Sequence, residues 1–448
     1  MTDPSFGCVG NSRVKRAFKF CFYPDDAQAA ELSRTFGCVR KVYNLALSAR
    51  SDARARGERL DYAQTSAMLT AWKRSEDLAY LAQVSCVPLQ QALRHLQSAF
   101  VAFRAKRSAY PRFKSKRNAR AGAEYTRSAF RYRDGRLTLA KMAEPLAVIW
   151  SRPLPEGVEP STVTVSRDPA GRWFVSLLCE DTPAPAPITT KAVGIDVGLT
   201  ALITLSTGET VANPRYERRD RELLARARRA LSRKSVGGRN HAKARTRVAR
   251  IHARIADRRR DHLHKLTTRL VRENQTLVIE DLAIRNMLRN HRLARAVSDA
   301  SWYTLRSMLE YKAAWYGRDL ITVDRWFPST RMCSACGIVG DPLPLGVRTW
   351  MCAGCGTTHD RDGNAAVNLL AAGSAVTACG AGVGPRAGTP RTGRPAVKQE
   401  ASAARPGNRS PREDGQAKQA TLGVSNAALP SAMPADTLRT SSQQQSIN

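Results

Sequence analysis

Cys333, Cys336, Cys352 and Cys355 stand as two C-x2-C pairs with fifteen residues between them. A soft, tetrahedral ion such as Zn²⁺ takes two thiolates from each such knuckle. Gly337 and Gly356 follow the second cysteine of each pair, where the knuckle turns back. Protein ligands fill all four positions and leave none for substrate, so the spacing predicts one structural zinc. The plain alternative is a set of buried thiols or a redox pair. Cys8, Cys21, Cys38, Cys86, Cys179 and Cys379 are scattered, without the spacing of a disulfide framework. They read as thiols of a reducing compartment.

Three acids suggest a harder ion. Asp196 lies inside the apolar run AVGIDVGLT, where an unpaired carboxylate is costly. Glu280 ends the apolar run in TLVIEDL. Asp362 sits in HDRDGNAAVNLL, a polar turn entering a helix, with Asp360 two residues before it. Singly, each has a structural explanation: a turn residue, a strand-end acid, a helix N-cap. Converging, they are the oxygen ligands Mg²⁺ prefers. Paired metals on carboxylates activate water and stabilise the leaving oxygen in phosphodiester cleavage.

Several elements must position these residues. RAFKFCFYP (16–24) alternates as a strand, and the stretch after it places Leu32, Phe36, Val39, Tyr43 and Leu47 on one helical face. Leu89, Leu93, Leu96, Phe100 and Phe103 mark a second helix, which runs into the basic loop YPRFKSKRNAR. STVTVSR and RWFVSLLCED, joined by DPAG, predict a hairpin. DTPAPAPITTK (181–191) reads as a linker. Beyond it, KAVGIDVGLTALITLSTGETVA predicts short strands turned at glycine. Leu223, Leu224, Ala227, Leu231, Val248, Ile251, Ile255 and Leu266 then recur at helical intervals, with SVGGRN as the turn of a helical hairpin. TLVIEDL and LITVDRWF read as strands, with WYTLRSMLEYKAAWYG a helix between them.

Charge narrows the partner. The 448 residues hold 72 Lys+Arg against 38 Asp+Glu, a net +34 that a polyanion would neutralise. Residues 215–272 alone carry 21 Lys/Arg and five Asp/Glu. A hydrophobic share of 42% excludes wholesale disorder. No apolar run approaches the roughly 18 residues of a membrane span. The N-terminal residues lack the apolar core of a secretory signal. The expectation is a soluble, cytoplasmic protein that binds nucleic acid. From about Gly373 the chain has no Phe, Trp or Tyr and reads as disordered, with a net charge of only +5.

GIDVGLT, VIEDLAIRNM, the CSACG and CAGCG knuckles and HDRDGNAAVN occur in the order and spacing of the transposon-encoded TnpB (OrfB) proteins. The chain resembles that family over about residues 14–371, including PRFKSK, LSRKSVGGRNHAKART, DHLHKLTTRLV and LEYKAAWYG. The family resembles compact ancestors of the type V CRISPR effectors. The resemblance implies a multi-domain α/β fold: an RNase H-like RuvC nuclease domain with an inserted zinc-binding domain, plus an N-terminal β-barrel with a helical insertion. The expected boundaries are an extension at 1–13, the barrel unit at 14–185 with its insertion at about 26–107, the nuclease domain at 192–371 with the zinc ribbon at about 328–358, and a disordered tail at 372–448. It also implies that Asp196, Glu280 and Asp362 hold catalytic Mg²⁺, two ions in all. Asp362 is preferred over Asp360 because it directly precedes the G-N-A-A-x-N turn.

The implied partners are a guide RNA from the transposon end and double-stranded target DNA beside a short flanking motif, with no membrane. Lys114, Lys116, Arg117, Arg228, Arg229, Arg233 and Lys234 are the expected nucleic-acid contacts, the alternative being a solvated basic face. Tyr43, Phe100, Phe113 and Trp302 suit either base stacking or the core. Two further readings use the same scaffold. One is a nuclease-inactive RNA-guided DNA-binding repressor, which the three intact acids argue against. The other is an accessory transposase acting in DNA recombination.

Overall fold

The computed structural model describes residues 13–116, 121–344 and 346–378, all within one unit, Met1–Pro385. Arg117 and the expected tail beyond Ala378 lie outside the described residues.

The chain opens with β1 (Val14–Phe22), whose alternation buries Phe18, Phe20 and Phe22. A capping box then starts α1 (Asp26–Ala55): Asp25 accepts the Gln28 amide at 2.7 Å, and the Gln28 side chain accepts the Asp25 amide. Asp61 and Gln64 repeat the device at α2 (Tyr62–Arg74). With α3 (Cys86–Arg104), these helices enclose Val42, Leu47, Leu69, Leu89, Leu93 and Leu96. After them come β2 (Ala121–Thr126), β3 (Phe130–Arg133), β4 (Arg136–Leu139), β5 (Pro160–Arg167) and β6 (Trp173–Asp181). The DPAG hairpin forms as β5–β6, in the antiparallel order β1-β6-β5-β2, while β3–β4 pair separately. Among the described residues the named strands form one four-stranded sheet and a hairpin. On the side away from β6, β1 meets the segment after β4 through a Phe22–Val148 bridge, with the Ile149 amide donating to the Cys21 carbonyl at 2.9 Å, and the Leu146 amide ties that segment to Leu137 of β4.

A second sheet follows the linker. Its elements are β7 (Ala192–Val197), β8 (Ala201–Leu205), β9 (Thr210–Ala212), α4 (Tyr216–Ser232), α5 (Arg239–Glu273), β10 (Thr276–Glu280), α6 (Ile284–Met287), α7 (Ala294–Ala300), α8 (Trp302–Tyr316) and β11 (Asp319–Val323). The order is β11-β10-β7-β8-β9. β7, β8 and β9 form an antiparallel meander; β10 and β11 run parallel to β7. Both faces are covered, which is why β7 and β10 read as near-continuous apolar runs. Val193, Ile195, Leu277 and Ile279 face α5 and α8, joining Leu263, Leu270, Trp302, Leu305 and Leu309. The opposite face takes α9 (Arg361–Ala378), whose Leu369 packs with Val278, Ile321 and Val323. A short ribbon, β12 (Thr349–Met351) with β13 (Thr358–Asp360), leads into α9.

Two glycines let α9 lie directly on the sheet. A Cβ at Gly194 would fall 2.0 Å from the Ala366 carbonyl oxygen. One at Gly373 would fall 2.5 Å from Val278. The helix continues to Ala378, past the expected boundary at 371. Ala-rich sequence favours helix, and Gly373 there is a packing surface rather than a stop. The α4–α5 hairpin forms with Leu224, Ala227, Ile251 and Ile255 at its seam. Leu266 belongs instead to the sheet core, because α5 spans 35 residues, about 52 Å at 1.5 Å per residue, and its second half reaches the sheet. Lys312 locks α8 to α5: its buried ammonium donates to the His264 carbonyl and to the Thr267 and Thr268 hydroxyls at 2.7–2.8 Å.

Candidate functional site

Strand alternation sets the geometry of the three acids. In β7, Val193 and Ile195 point to α5 and α8, so Gly194 and Asp196 point to α9. In β10, Val278 faces α9, so Glu280 leaves the strand on the same side. The parallel register pairs Ile279 with Ile195, which makes Asp196 and Glu280 neighbours at the carboxyl ends of adjacent strands. Close packing of α9 onto Gly194 then brings Asp362, in the first turn of α9, to the same edge.

The electrostatics record the meeting. The Asp196 carboxyl is buried and is pushed up to about 7, first by burial and then by the charges of Asp362 and Glu280. Glu280 is also raised, by burial and then by Asp281. Asp281 is held below the usual carboxylate range by ion pairs with Arg306 (2.6 Å) and Arg325. Two neighbouring acids thus differ: Asp281 is neutralised by arginines, and Glu280 has no ion pair among the described residues. A buried carboxyl whose proton affinity is raised by two neighbouring acids is suited to a divalent cation, so the donor set fits Mg²⁺. The carboxylates are not drawn together as the thiols are. Among the described residues, the cysteine quartet is the only group of three or more such ligands within 4.8 Å of one another.

Asp360 and Asp362 have separate partners. Asp360 Oδ1 accepts the Gly363 amide at 2.7 Å and caps α9, the bland task the sequence reading allowed for Asp362. Both oxygens of Asp362 accept from Arg348 Nη1 at 3.1 Å, and Arg348 Nη2 reaches the Thr200 hydroxyl at 3.1 Å. Sequence reasoning missed Arg348. It lies between the cysteine pairs, where a lone arginine in a chain this basic carries no signal.

The quartet is a pair of matched knuckles. Gly337 donates to the Cys333 carbonyl and Gly356 to the Cys352 carbonyl, each at 2.9 Å, with both glycines at positive φ (77° and 70°). Cys333–Cys355 and Cys336–Cys352 sulfurs are 3.6 Å apart. A tetrahedron with metal–sulfur bonds of about 2.3 Å has edges near 3.8 Å, so four thiolates here fit zinc. His359 was also missed: its buried Nε2 lies 3.0 Å from Cys333 Sγ, and its ring packs on Trp350 at 5.0 Å. On α9, Asn364 and Asn368 reach the Ser329 and Met332 carbonyls, and Asn364 accepts the Ser334 amide. Their i,i+4 spacing in GNAAVN puts both on one helix face, so α9 carries Asp362 and grips the first knuckle.

The expected nucleic-acid contacts separate. Arg228, Arg229, Arg233, Lys234 and Lys116 are exposed. Lys114 is partly buried, its ammonium 3.8 Å from the centre of the Tyr43 ring and its backbone bonded to Asn44. Of the aromatics, Tyr43 and Trp302 are buried and Phe100 packs against the helical core, while Phe113 is 61% exposed.

An α/β sheet with acids at one edge and a four-thiol knuckle beside them defines the class; comparison with known proteins defines the family. Family profiles match "Probable transposase" at residues 175–291, "Cas12f1-like, TNB domain" at 302–369 and "Helix-turn-helix domain" at 12–59. A Streptomyces pristinaespiralis protein is 65% identical over 87% of this chain and 96% of its own length. InsQ of Escherichia coli K12 is 33% identical over 86% of this chain and 97% of its own. Both bear the name "Putative RNA-guided DNA endonuclease". The fold is also that of the protein in a Cas12f1–sgRNA–target DNA complex (TM-score 0.50, 13% identity, 80% of this chain, 99% of that one). The chain belongs to the TnpB (OrfB) family of RNA-guided DNA endonucleases.

Proposed function

We propose that this protein is a transposon-associated, RNA-guided endonuclease of double-stranded DNA, with Asp196, Glu280 and Asp362 as its catalytic acids. The observation that carries the reading is their convergence on one sheet edge. Asp196 and Glu280 leave adjacent parallel strands on the α9 face, with Asp362 opposite. The strand order, an antiparallel meander followed by two parallel strands, supports an RNase H-like RuvC domain at 192–371, with the N-terminal unit at 14–185 and the zinc ribbon at about 328–358.

The three carboxylates would hold two Mg²⁺ ions, which supply an activated water and stabilise the departing oxygen. The chain's residues do the rest. Burial keeps Asp196 in a low-dielectric setting where charge matters most. Arg348 orients Asp362, and α9 keeps the acids in register with the knuckle. Cys333, Cys336, Cys352 and Cys355 would hold one structural zinc. A guide RNA would lie on the basic surface that includes Arg228, Arg229, Arg233 and Lys234, with the protein working in the cytoplasm.

The test is guide-directed cleavage of a plasmid in Mg²⁺, beside a DNA-binding measurement. Alanine at Asp196, Glu280 or Asp362 should lower cleavage by orders of magnitude and spare binding. If all three variants cut like the parent, the nuclease reading fails. If the parent itself binds target without cutting, the repressor reading replaces it.

A further inference from the structure

A cavity of about 610 Å³ opens where α4, α7 and the turn between β7 and β8 meet. Arg215, Arg218, Arg221, His291, Arg292 and Arg295 line it, with Glu217 and Asp299 as its acids. Both acids are already engaged. Glu217 pairs with Arg221 at 2.9 Å; Asp299 pairs with Arg259 at 2.6 Å and accepts the Glu217 and Arg218 amides. The guanidinium groups of Arg218, Arg292 and Arg295 make no ion pair among the described residues, and all three residues are exposed. The cavity therefore presents surplus positive charge in planar, multi-donor form, the chemistry that recognises phosphate.

Its position sets which phosphate. Leu199 lines the cavity, and its carbonyl accepts from Arg215 Nη2 at 3.2 Å and Asn213 Nδ2 at 3.0 Å. The next residue, Thr200, accepts from the Arg348 that clamps Asp362. One short turn is thus the wall between the cavity and the acids. Leu199 is three residues from Asp196, at most about 11 Å along an extended chain. A nucleic-acid strand advances roughly 3.4 Å per phosphate along the helix axis.

We propose that this cavity is a phosphate subsite gripping the DNA strand being cut, within about three nucleotides of the scissile bond. The proposal rests on the nuclease reading above. The shared wall favours the cleaved strand over guide RNA. The expected guide-binding cations at Arg228–Lys234 lie toward the far end of α4, about 15 to 24 Å from Arg218 at 1.5 Å per helical residue.

The test uses the full chain with its guide and target DNAs carrying single uncharged methylphosphonate linkages, scanned over three positions on each side of the cut. In the parent, at least one such linkage should slow cleavage about tenfold. In Arg292→Ala/Arg295→Ala, cleavage should already be slower by that order, and the same linkage should cost nothing more. The Arg292→Lys/Arg295→Lys variant, which keeps the charge, should recover most of the rate. Binding of the same DNAs in Ca²⁺, read by anisotropy, should show the same pattern. That arm decides the subsite even if the parent does not cut, in which case only the nuclease reading falls. The proposal is overturned if the alanine variant cuts and binds like the parent, or if the methylphosphonate penalty persists undiminished in it. An equal loss of guide-RNA affinity would overturn it in favour of an RNA site.

Discussion

At the residue scale, the acids differ in what their surroundings ask of them. A carboxyl raised from 3.8 to about 7 on folding favours the protonated folded state. Its penalty is absent below about pH 4, grows as the unfolded chain ionises first, and is complete above about pH 7. Asp196→Asn should therefore stabilise the metal-free protein at pH 8 by up to about 4 kcal/mol and do little at pH 4, read by denaturant unfolding at both pH values. Equal effects at both would show that Asp196 is not raised. Asp360→Ala should cost about 1 kcal/mol, the loss of a helix cap, and reduce cleavage far less than Asp362→Ala. If Asp360→Ala is dead and Asp362→Ala is active, the third ligand is Asp360. At the knuckle, His359→Ala should weaken zinc retention against a chelator by about 10- to 100-fold, as loss of a hydrogen bond to a metal thiolate does. Unchanged retention would reduce the 3.0 Å contact to packing.

At the element scale, the site depends on how closely α9 lies on β7 and β10. Backbone, not a flexible side chain, would meet a Cβ at Gly194, so relief requires moving the helix. Gly194→Ala should destabilise the protein by about 3 kcal/mol or more and lower cleavage further than its stability loss accounts for, because Asp362 moves with α9. Gly373→Ala meets only the Val278 side chain and should cost less. Thermal unfolding of the pair, with cleavage measured well below both midpoints, separates the two. Equal costs would mean that α9 does not rest closely on the Gly194 backbone. The knuckle and the acids share this helix, since Asn364 and Asn368 hold one and Asp362 belongs to the other.

At the scale of the whole molecule, charge governs association. Replacing Arg228, Arg229 and Arg233 together by Glu should weaken guide-RNA binding and flatten its dependence on salt by about 2 to 3 in log–log slope. Filter binding between 50 and 300 mM salt reads this, and an unchanged slope would make the hairpin a solvated face. Much was legible in the sequence: the cysteine knuckles, the α4–α5 hairpin, the strands bearing Asp196 and Glu280, and the basic surface. These rest on local spacing, periodicity and charge, which a chain carries wherever it folds. The rest was not legible, because it depends on which distant segments touch. Arg348 on Asp362, His359 on Cys333 and Lys114 folded over Tyr43 are contacts between segments brought together only in the folded chain, and no periodicity announces them. The choice between Asp360 and Asp362 was of the same kind. Two residues of one tripeptide differ only in what the rest of the molecule places beside them. Tertiary packing gave one the cap of a helix and the other an arginine, at the sheet edge where Asp196 and Glu280 end adjacent strands.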